Sequence, residues 1–432
     1  MIEPPGDQAA AQPGHHPIRV SVDDDLERSR LTVFFRLLLA VPHYVWFGAW
    51  SLAAILAAVA NWIATLILAE PPVFLYRFLS AYVRYTVHVS AYIFLAANPF
   101  PGFVGARGTY PIDVEIDYPG RQNRWVTGFR FFLAFPALLL STVLIGSVPG
   151  GRGNGYQSGG GLAVTVALLA WFACLARRRM PQGFRDAVVY ALRYTAQMDG
   201  YLFMLTDRYP DSDPALPTPT AHAPPRGARL HVTDDLRRSR LTVFFRVLLA
   251  VPHYVWLLLW GILALVAAVA AWFATLVTAR PPAALHRFLS AYLRYATHVS
   301  AFFYLVANPF PGFVGAPGSY PVDVEIDPPG RQNRWTVGFR LLLAVPAILV
   351  ASALQGALFL VGVFGWWYSL VTARMARGLR NLGAYSLRYT VETYAYASLL
   401  TRRYPYSGPS LAEPPPAPES APQPWPAAFP ES

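Results

Sequence analysis

Eight arginines and four histidines recur at fixed spacings, and any chemistry this chain performs is expected from them. Arg36, Arg130, Arg246 and Arg340 each stand six residues before a proline, near the start of a long apolar run. Arg84, Arg193, Arg294 and Arg388 hold a second repeated position farther along. A guanidinium stays charged at any physiological pH and can only donate hydrogen bonds. At the edge of an apolar run it can meet a lipid headgroup; inside a bundle it can line a path for an anion. His43, His88, His253 and His298 are also equivalent in pairs, and four imidazoles around an axis could hold a metal. The position of His88 is taken by Gln197 and Glu392 in the other copies, however, so it reads as a general polar position, and no metal or cofactor is expected. Asp23, Asp117, Asp235 and Asp327 are read as ion-pair partners of Arg28, Arg124, Arg238 and Arg334, at about 0–1 kcal/mol each. There is no phosphate-binding loop, no H-E-x-x-H, no G-x-S-x-G and no paired-cysteine site. The chain is therefore read as a non-enzyme.

The setting of these residues is apolar. Hydrophobic residues make up 54% and charged residues 14% of 432 positions, more apolar than an ordinary soluble protein. Uncharged runs such as Leu37 to Ala69 exceed the roughly 20 residues that cross a bilayer. All 35 basic residues are arginine, and the net charge of +11 suits loops beside anionic headgroups. Nucleic acid is not the expected partner, because the arginines flank apolar runs and form no separate basic domain. Cys174 stands alone, so no intrachain disulfide forms. The polar, Pro-rich first 17 residues do not read as a cleaved signal peptide.

The chain is a repeat of repeats. LTVFFRLLLAVPHYVW from Leu31 returns as LTVFFRVLLAVPHYVW from Leu241, a shift of 210. Arg193 and Arg388 differ by 195, because the polar tract near Gly146 to Gly161 adds 15 residues. Arg246 and Arg340 differ by 94, so each half is itself double and four quarters of about 95 residues result. Trp62, Trp171, Trp272 and Trp366 are equivalent.

Each quarter opens on an alternating segment, such as IDVEID from Ile112, that predicts a short strand; four of these are expected to form one small sheet on one membrane face. The apolar stretch follows. A polar, Gly-rich insertion cannot lie as irregular backbone in hydrocarbon, so its site is expected to reach water. That divides the first stretch into segments Leu31–Trp50 and Ala53–Ala69, a transmembrane helical hairpin joined near Ser51. The last segment, Val73 to Ala97 in the first quarter, sets Arg77, Ser80, Arg84 and His88 on one helical face. The one-sided placement of arginine favours an amphipathic helix flat on the membrane over a further span. NPFPGF and RQNRW read as turns and interface anchors.

The strand, RxxxxFRLLLAxPHY, the apolar stretch, RYxxHVSAY and the terminal LTDRYP and LTRRYP together resemble a prokaryotic membrane family, domain of unknown function 4389, over nearly all of residues 17–406. The resemblance implies an integral membrane location and no established activity, so it carries no functional residues to this chain. Ala137 and Ala347 in place of His43 and His253, and the insertion, depart from it.

The expected protein is mainly α and membrane-integral. A disordered stretch 1–16 precedes a first unit 17–210, with quarters 17–108 and 109–210. A Pro-rich linker 211–226 leads to a second unit 227–406, with quarters 227–318 and 319–406, and a disordered tail 407–432. The expected role is a multi-pass scaffold of the cell membrane, with termini and strands cytoplasmic, binding lipids with anionic headgroups through the eight arginines. The alternative is a transporter or channel in which those arginines pass a small anion.

Overall fold

A computed structural model describes residues 16–146, 160–214 and 224–411. The first quarter runs β1 (Ile18–Val22), the short α1 (Arg30–Phe34) and α2 (Arg36–Leu39), the long α3 (Val41–Leu68) and α4 (Val73–Ile93). The second runs β2 (Ile112–Ile116), α5 (Arg124–Ile145), α6 (Leu162–Arg177) and α7 (Gln182–Leu202). The third runs β3 (Ala228–Val232), α8 (Arg240–Phe244), α9 (Arg246–Thr278) and α10 (Ala283–Phe303). The fourth runs β4 (Val322–Ile326), α11 (Arg334–Gly338), α12 (Arg340–Thr372) and α13 (Arg377–Ala397).

The apolar stretches are not hairpins. α9 and α12 are single helices of 33 residues, about 50 Å long at 1.5 Å per residue. α3 passes straight through Ser51 to Ala53. The sequence there, AWSLAAIL, holds strong helix formers and no Pro or Asn to make a turn, so continuing the helix keeps every amide paired. Only the second quarter is interrupted. Gly146 and Gly161 both align with Gly356, and in the structure they touch: a Cβ on either would collide with the other's backbone. α5 and α6 lie end to end and together pack along α7 as the unbroken α12 packs along α13. The two helix ends that flank the insertion therefore meet within one broken helix and are not the two arms of a hairpin; residues 147–159, Arg152 among them, lie outside the described residues. The long helices leave most of their apolar surface outward, with Leu56 65%, Phe132 74%, Leu265 67% and Leu341 69% exposed.

The helices expected to lie flat on the membrane are the inner layer. Tyr85 and Tyr92 of α4, Tyr190 of α7, Tyr295 of α10 and Tyr385 of α13 are fully buried. The polar stripe of α4 turns inward, with Ser80 and His88 buried and only Arg77 exposed. A polar side chain costs little inside when it is hydrogen-bonded, whereas the long helices have mostly apolar surface to present outward. The inner helices also separate the strands. β1 pairs with β2 on α4 and α7, and β3 with β4 on α10 and α13, giving two antiparallel sheets in place of the expected one.

Partner quarters close each other. α3, α6, α9 and α12 end in Ala69, Arg178, Ala279 and Ala373, all left-handed at φ 56–65°. Their carbonyls accept the amides of Gln122 (2.7 Å), Arg28 (2.9 Å), Gln332 (2.8 Å) and Arg238 (2.9 Å), each from the other quarter of the same half. The four equivalent tryptophans serve the same junction. Trp62, Trp171, Trp272 and Trp366 donate Nε1 to the carbonyls of Thr127, Val33, Val337 and Val243 at 2.9–3.1 Å.

The halves close each other as well. The segment after α7 sets Ser212 against Gly378 of α13, and the segment after α13 sets Ser407 against Gly183 of α7. Tyr190 and Tyr385 meet edge to face at 6.3 Å and donate to the carbonyls of Ser212 and Ser407. Residues 211–214 and 407–411 are therefore packed parts of the fold, where a linker and a tail were expected; buried tyrosine hydroxyls take up their backbone carbonyls. The expectations for residues 1–15, 215–223 and 412–432 fall outside the described residues.

Deleting residues 147–161, which joins Gly146 to Leu162 in the register of Gly356 and Ala357, should fuse α5 and α6 into one helix. Circular dichroism in detergent should show equal or greater helicity and a thermal midpoint no lower than that of the full chain. Loss of the folded protein would refute the end-to-end arrangement.

Candidate functional site

All eight predicted arginines point into the protein. Arg36 is 2% exposed; its Nη1 donates to the carbonyls of Tyr92 (2.6 Å) and Ala97 (2.9 Å), and its Nη2 to Asn98 Oδ1. Its guanidinium lies 4.4 Å from the Tyr92 ring centre. Arg246 repeats this on Phe302, Ala307 and Asn308. Arg130 donates to the carbonyls of Tyr201 (3.0 Å) and Thr206 (2.8 Å) over the Tyr201 ring. Arg340 stacks on Tyr396 at 4.2 Å and donates to Gln332 Oε1. Each of these arginines sits at the C-terminus of an inner helix, where carbonyls lack partners and the helix dipole is negative.

The second set is also turned inward. Arg84 donates to the carbonyls of Val114 (3.0 Å) and Gly105 (3.1 Å), and Arg294 to those of Val324 (3.0 Å) and Gly315 (3.2 Å). Arg193 donates to the Asp213 carbonyl. Arg388, with no exposure, holds Glu392 Oε1 (2.7 Å) and the carbonyls of Tyr406 and Gly408. The expected contact with headgroups is therefore overturned at all eight positions. The inner layer carries the polar groups, and the loop carbonyls beside it need donors more than the surface does.

The arginines share this work with residues that repeat reasoning passed over. The inner helices are followed by Leu95, Met204, Leu305 and Leu399, all left-handed. Arg28 and Arg238 grip the Leu95 and Leu305 carbonyls, while Gln122 and Gln332 donate to those of Met204 (2.7 Å) and Leu399 (2.8 Å). The spacing of 94 between Arg28 and Gln122, and between Arg238 and Gln332, was a signal for them. Arg28 and Arg238 pair with Asp24 and Asp234 at 2.8 Å, both pairs buried, and not with Asp23 and Asp235. Asp117 and Asp327 pair with Arg19 and Arg229 across the strands, and Arg124 and Arg334 donate to the carbonyls of Ile67 and Val277.

The four histidines do not converge on one point. His43 and His253 bond the hydroxyls of Tyr85 and Tyr295. His88 and His298 bond Asp113 (2.9 Å) and Asp323 (3.1 Å). Among the described residues no group of three or more His, Cys, Asp or Glu is placed to hold a metal. Burial pushes the Asp113 carboxyl upward, but bonds from His88 and from the amides of Gly108 and Val114 outweigh it and hold the carboxyl below its ordinary 3.8.

Comparison with known proteins agrees with this repeat plan. The chain belongs to the family described as a domain of unknown function (DUF4389), whose profile matches residues 30–104, 240–314 and 334–407, together just over half of the chain. These are the first, third and fourth quarters. No curated protein and no solved structure matches.

Replacing Arg36 or Arg246 with Ala removes two carbonyl bonds and an aromatic stack, and should destabilise the protein by about 3 kcal/mol. Lysine should not rescue it, because one ammonium cannot fork onto both carbonyls while lying flat on the ring. Thermal unfolding in detergent reads both effects; a midpoint within 2 °C of wild type would refute the capping role.

A second prediction concerns pH. The folded carboxyl of Asp113 lies below its unfolded value, so its contribution is present above that value and lost as pH falls through the folded one. Stability should hold down to about pH 4 and decline below it. The double variant Asp113→Asn, Asp323→Asn should be less stable at pH 7 and show a shallower acid limb in melting midpoints taken from pH 3 to 7.

Proposed function

We propose that this protein is a non-enzymatic, multi-pass integral membrane protein that serves as a scaffold in the cell membrane and binds lipid. The observation that carries this reading is the outward face of the long helices. α3, α5, α9 and α12 are long and apolar enough to cross a membrane, and their large exposed side chains are mainly Leu, Val, Ile, Phe, Trp and Tyr. Exposed arginines gather where the long helices end, at Arg177, Arg178, Arg179, Arg280, Arg374 and Arg377. These clusters lie at both ends of the long helices, since Arg374 adjoins the start of α8 and Arg280 follows the end of α9, and they suit anionic headgroups on either side of a bilayer. Against an anion pathway stands the commitment of all eight repeated guanidinium groups to internal partners.

The test uses single cysteines at Leu56, Phe132, Leu265 and Phe359 in a Cys174→Ala background, in native membranes. A lipid-soluble maleimide should label all four, and a charged, water-soluble maleimide none until detergent is added. Labelling by the charged reagent in intact membranes would sink the membrane reading. Anion flux above that of empty vesicles in reconstituted liposomes would sink the scaffold reading in favour of transport.

A further inference from the structure

Between the segment after α7 and one face of α12 runs a groove of about 990 Å³, within the size range of small-molecule sites. Its two walls differ in character. Trp367 and Tyr368 each lie three or four residues from both Phe364 and Val371, so the four share one broad face of α12. Pro136 of α5 continues this apolar wall. The opposite wall carries Arg208, Asp211 and Ser212, with His16 beside them. Burial drives the His16 imidazole down to about 4, so near neutral pH the wall's charges are one cation and one anion, three residues apart. Trp367 (62% exposed) and Val371 (73% exposed) make the apolar wall continuous with the outer surface of α12.

The repeat makes this groove more than a by-product of duplication. In the second half Tyr406 stands where Asp211 stands in the first, and Arg226 where His16 stands. Tyr406 reaches Asp186 with its hydroxyl and bonds Glu392 through its amide. The space beside Arg226, Arg403 and Tyr406 is only about 10 Å³. On α6, Ala173 and Ala176 stand in register with Tyr368 and Val371. The first space is open and walled by Phe364, Trp367 and Tyr368 of α12; the space beside Tyr406 is small, and on α6 only Phe172 stands in register with an aromatic of that wall.

We infer that the groove seats one phospholipid with a zwitterionic headgroup, its acyl chains along α12 and its headgroup on the segment after α7. The phosphate meets Arg208, the headgroup ammonium meets Asp211, and the chains enter from the surrounding bilayer along Trp367 and Val371. Opposite charges on the wall match opposite charges on the headgroup, which a purely anionic lipid does not offer. This inference rests on the membrane reading above and narrows its lipid to one class at one place.

The experiment is native mass spectrometry of the full chain in detergent, with phosphatidylethanolamine and phosphatidylglycerol of identical acyl chains as probes. One phosphatidylethanolamine per chain should be retained, in several-fold preference over phosphatidylglycerol. Arg208→Ala should lower retention of both lipids about fivefold, and Asp211→Asn should abolish the preference. Val371→Trp should block the groove, whereas Ala176→Trp, its counterpart in the first half, should change nothing. All of these positions are exposed, so the fold should survive each change. Phosphatidylglycerol preferred by the wild type, retention unchanged by Val371→Trp, or lipid uptake only after removal of residues 1–15 would each overturn the inference. The cysteine-labelling experiment is independent, so a membrane-embedded protein that retains no lipid would defeat this inference alone.

Discussion

A guanidinium group laid against the end of an inner helix is the contact on which this fold turns. The last carbonyls of any helix lack partners within it, and inside a packed layer there is little water to satisfy them. Arg36, Arg130 and Arg246 each bring donors to one carbonyl in the last turn of an inner helix and one in the segment after it, place a positive charge at the negative end of the helix dipole, and stack on the aromatic residue at that end; Arg340 stacks on Tyr396 in the same way and reaches Gln332. Leu95 and its three equivalents must then leave the helix in the left-handed conformation at one defined point. That fixes where Arg28, Gln122, Arg238 and Gln332 can reach the next carbonyl.

No quarter completes itself. The carbonyl that ends α3 is satisfied by Gln122 of the second quarter, and the one that ends α6 by Arg28 of the first. The tryptophan bonds cross in the same sense, and between halves Ser212 and Ser407 exchange places against Gly378 and Gly183. A lone quarter would expose these groups, so the unit that folds is at least a pair of quarters. The departures from symmetry lie where this mutual closure has slack. The insertion enters at Gly146, on a long helix whose two pieces still meet, and the open groove borders the segment after α7, whose counterpart is filled by Tyr406.

The sequence by itself determined the four-part repeat, the four short strands and the mainly helical, apolar character, because the spacings of 94, 195 and 210 residues, the alternating segments and the composition are properties of the string; it did not determine that the strands pair two by two. It also picked out Arg36, Arg84 and their equivalents as special, since a charge embedded in an apolar run must have a reason. It misjudged the path of the chain at Ser51, because an insertion tolerated by one helix looks the same as a turn shared by four. It also placed the inner helices outside. A helix with a polar stripe and an aromatic face satisfies a membrane surface and a bundle interior equally well, and periodicity does not say which side is wet. Only the tertiary structure decided that, through partners far away in the chain. Backbone carbonyls at Tyr92, Ala97 and Val114 carry no side-chain signature, so no reading of residue types could show that they were what the arginines were there to meet.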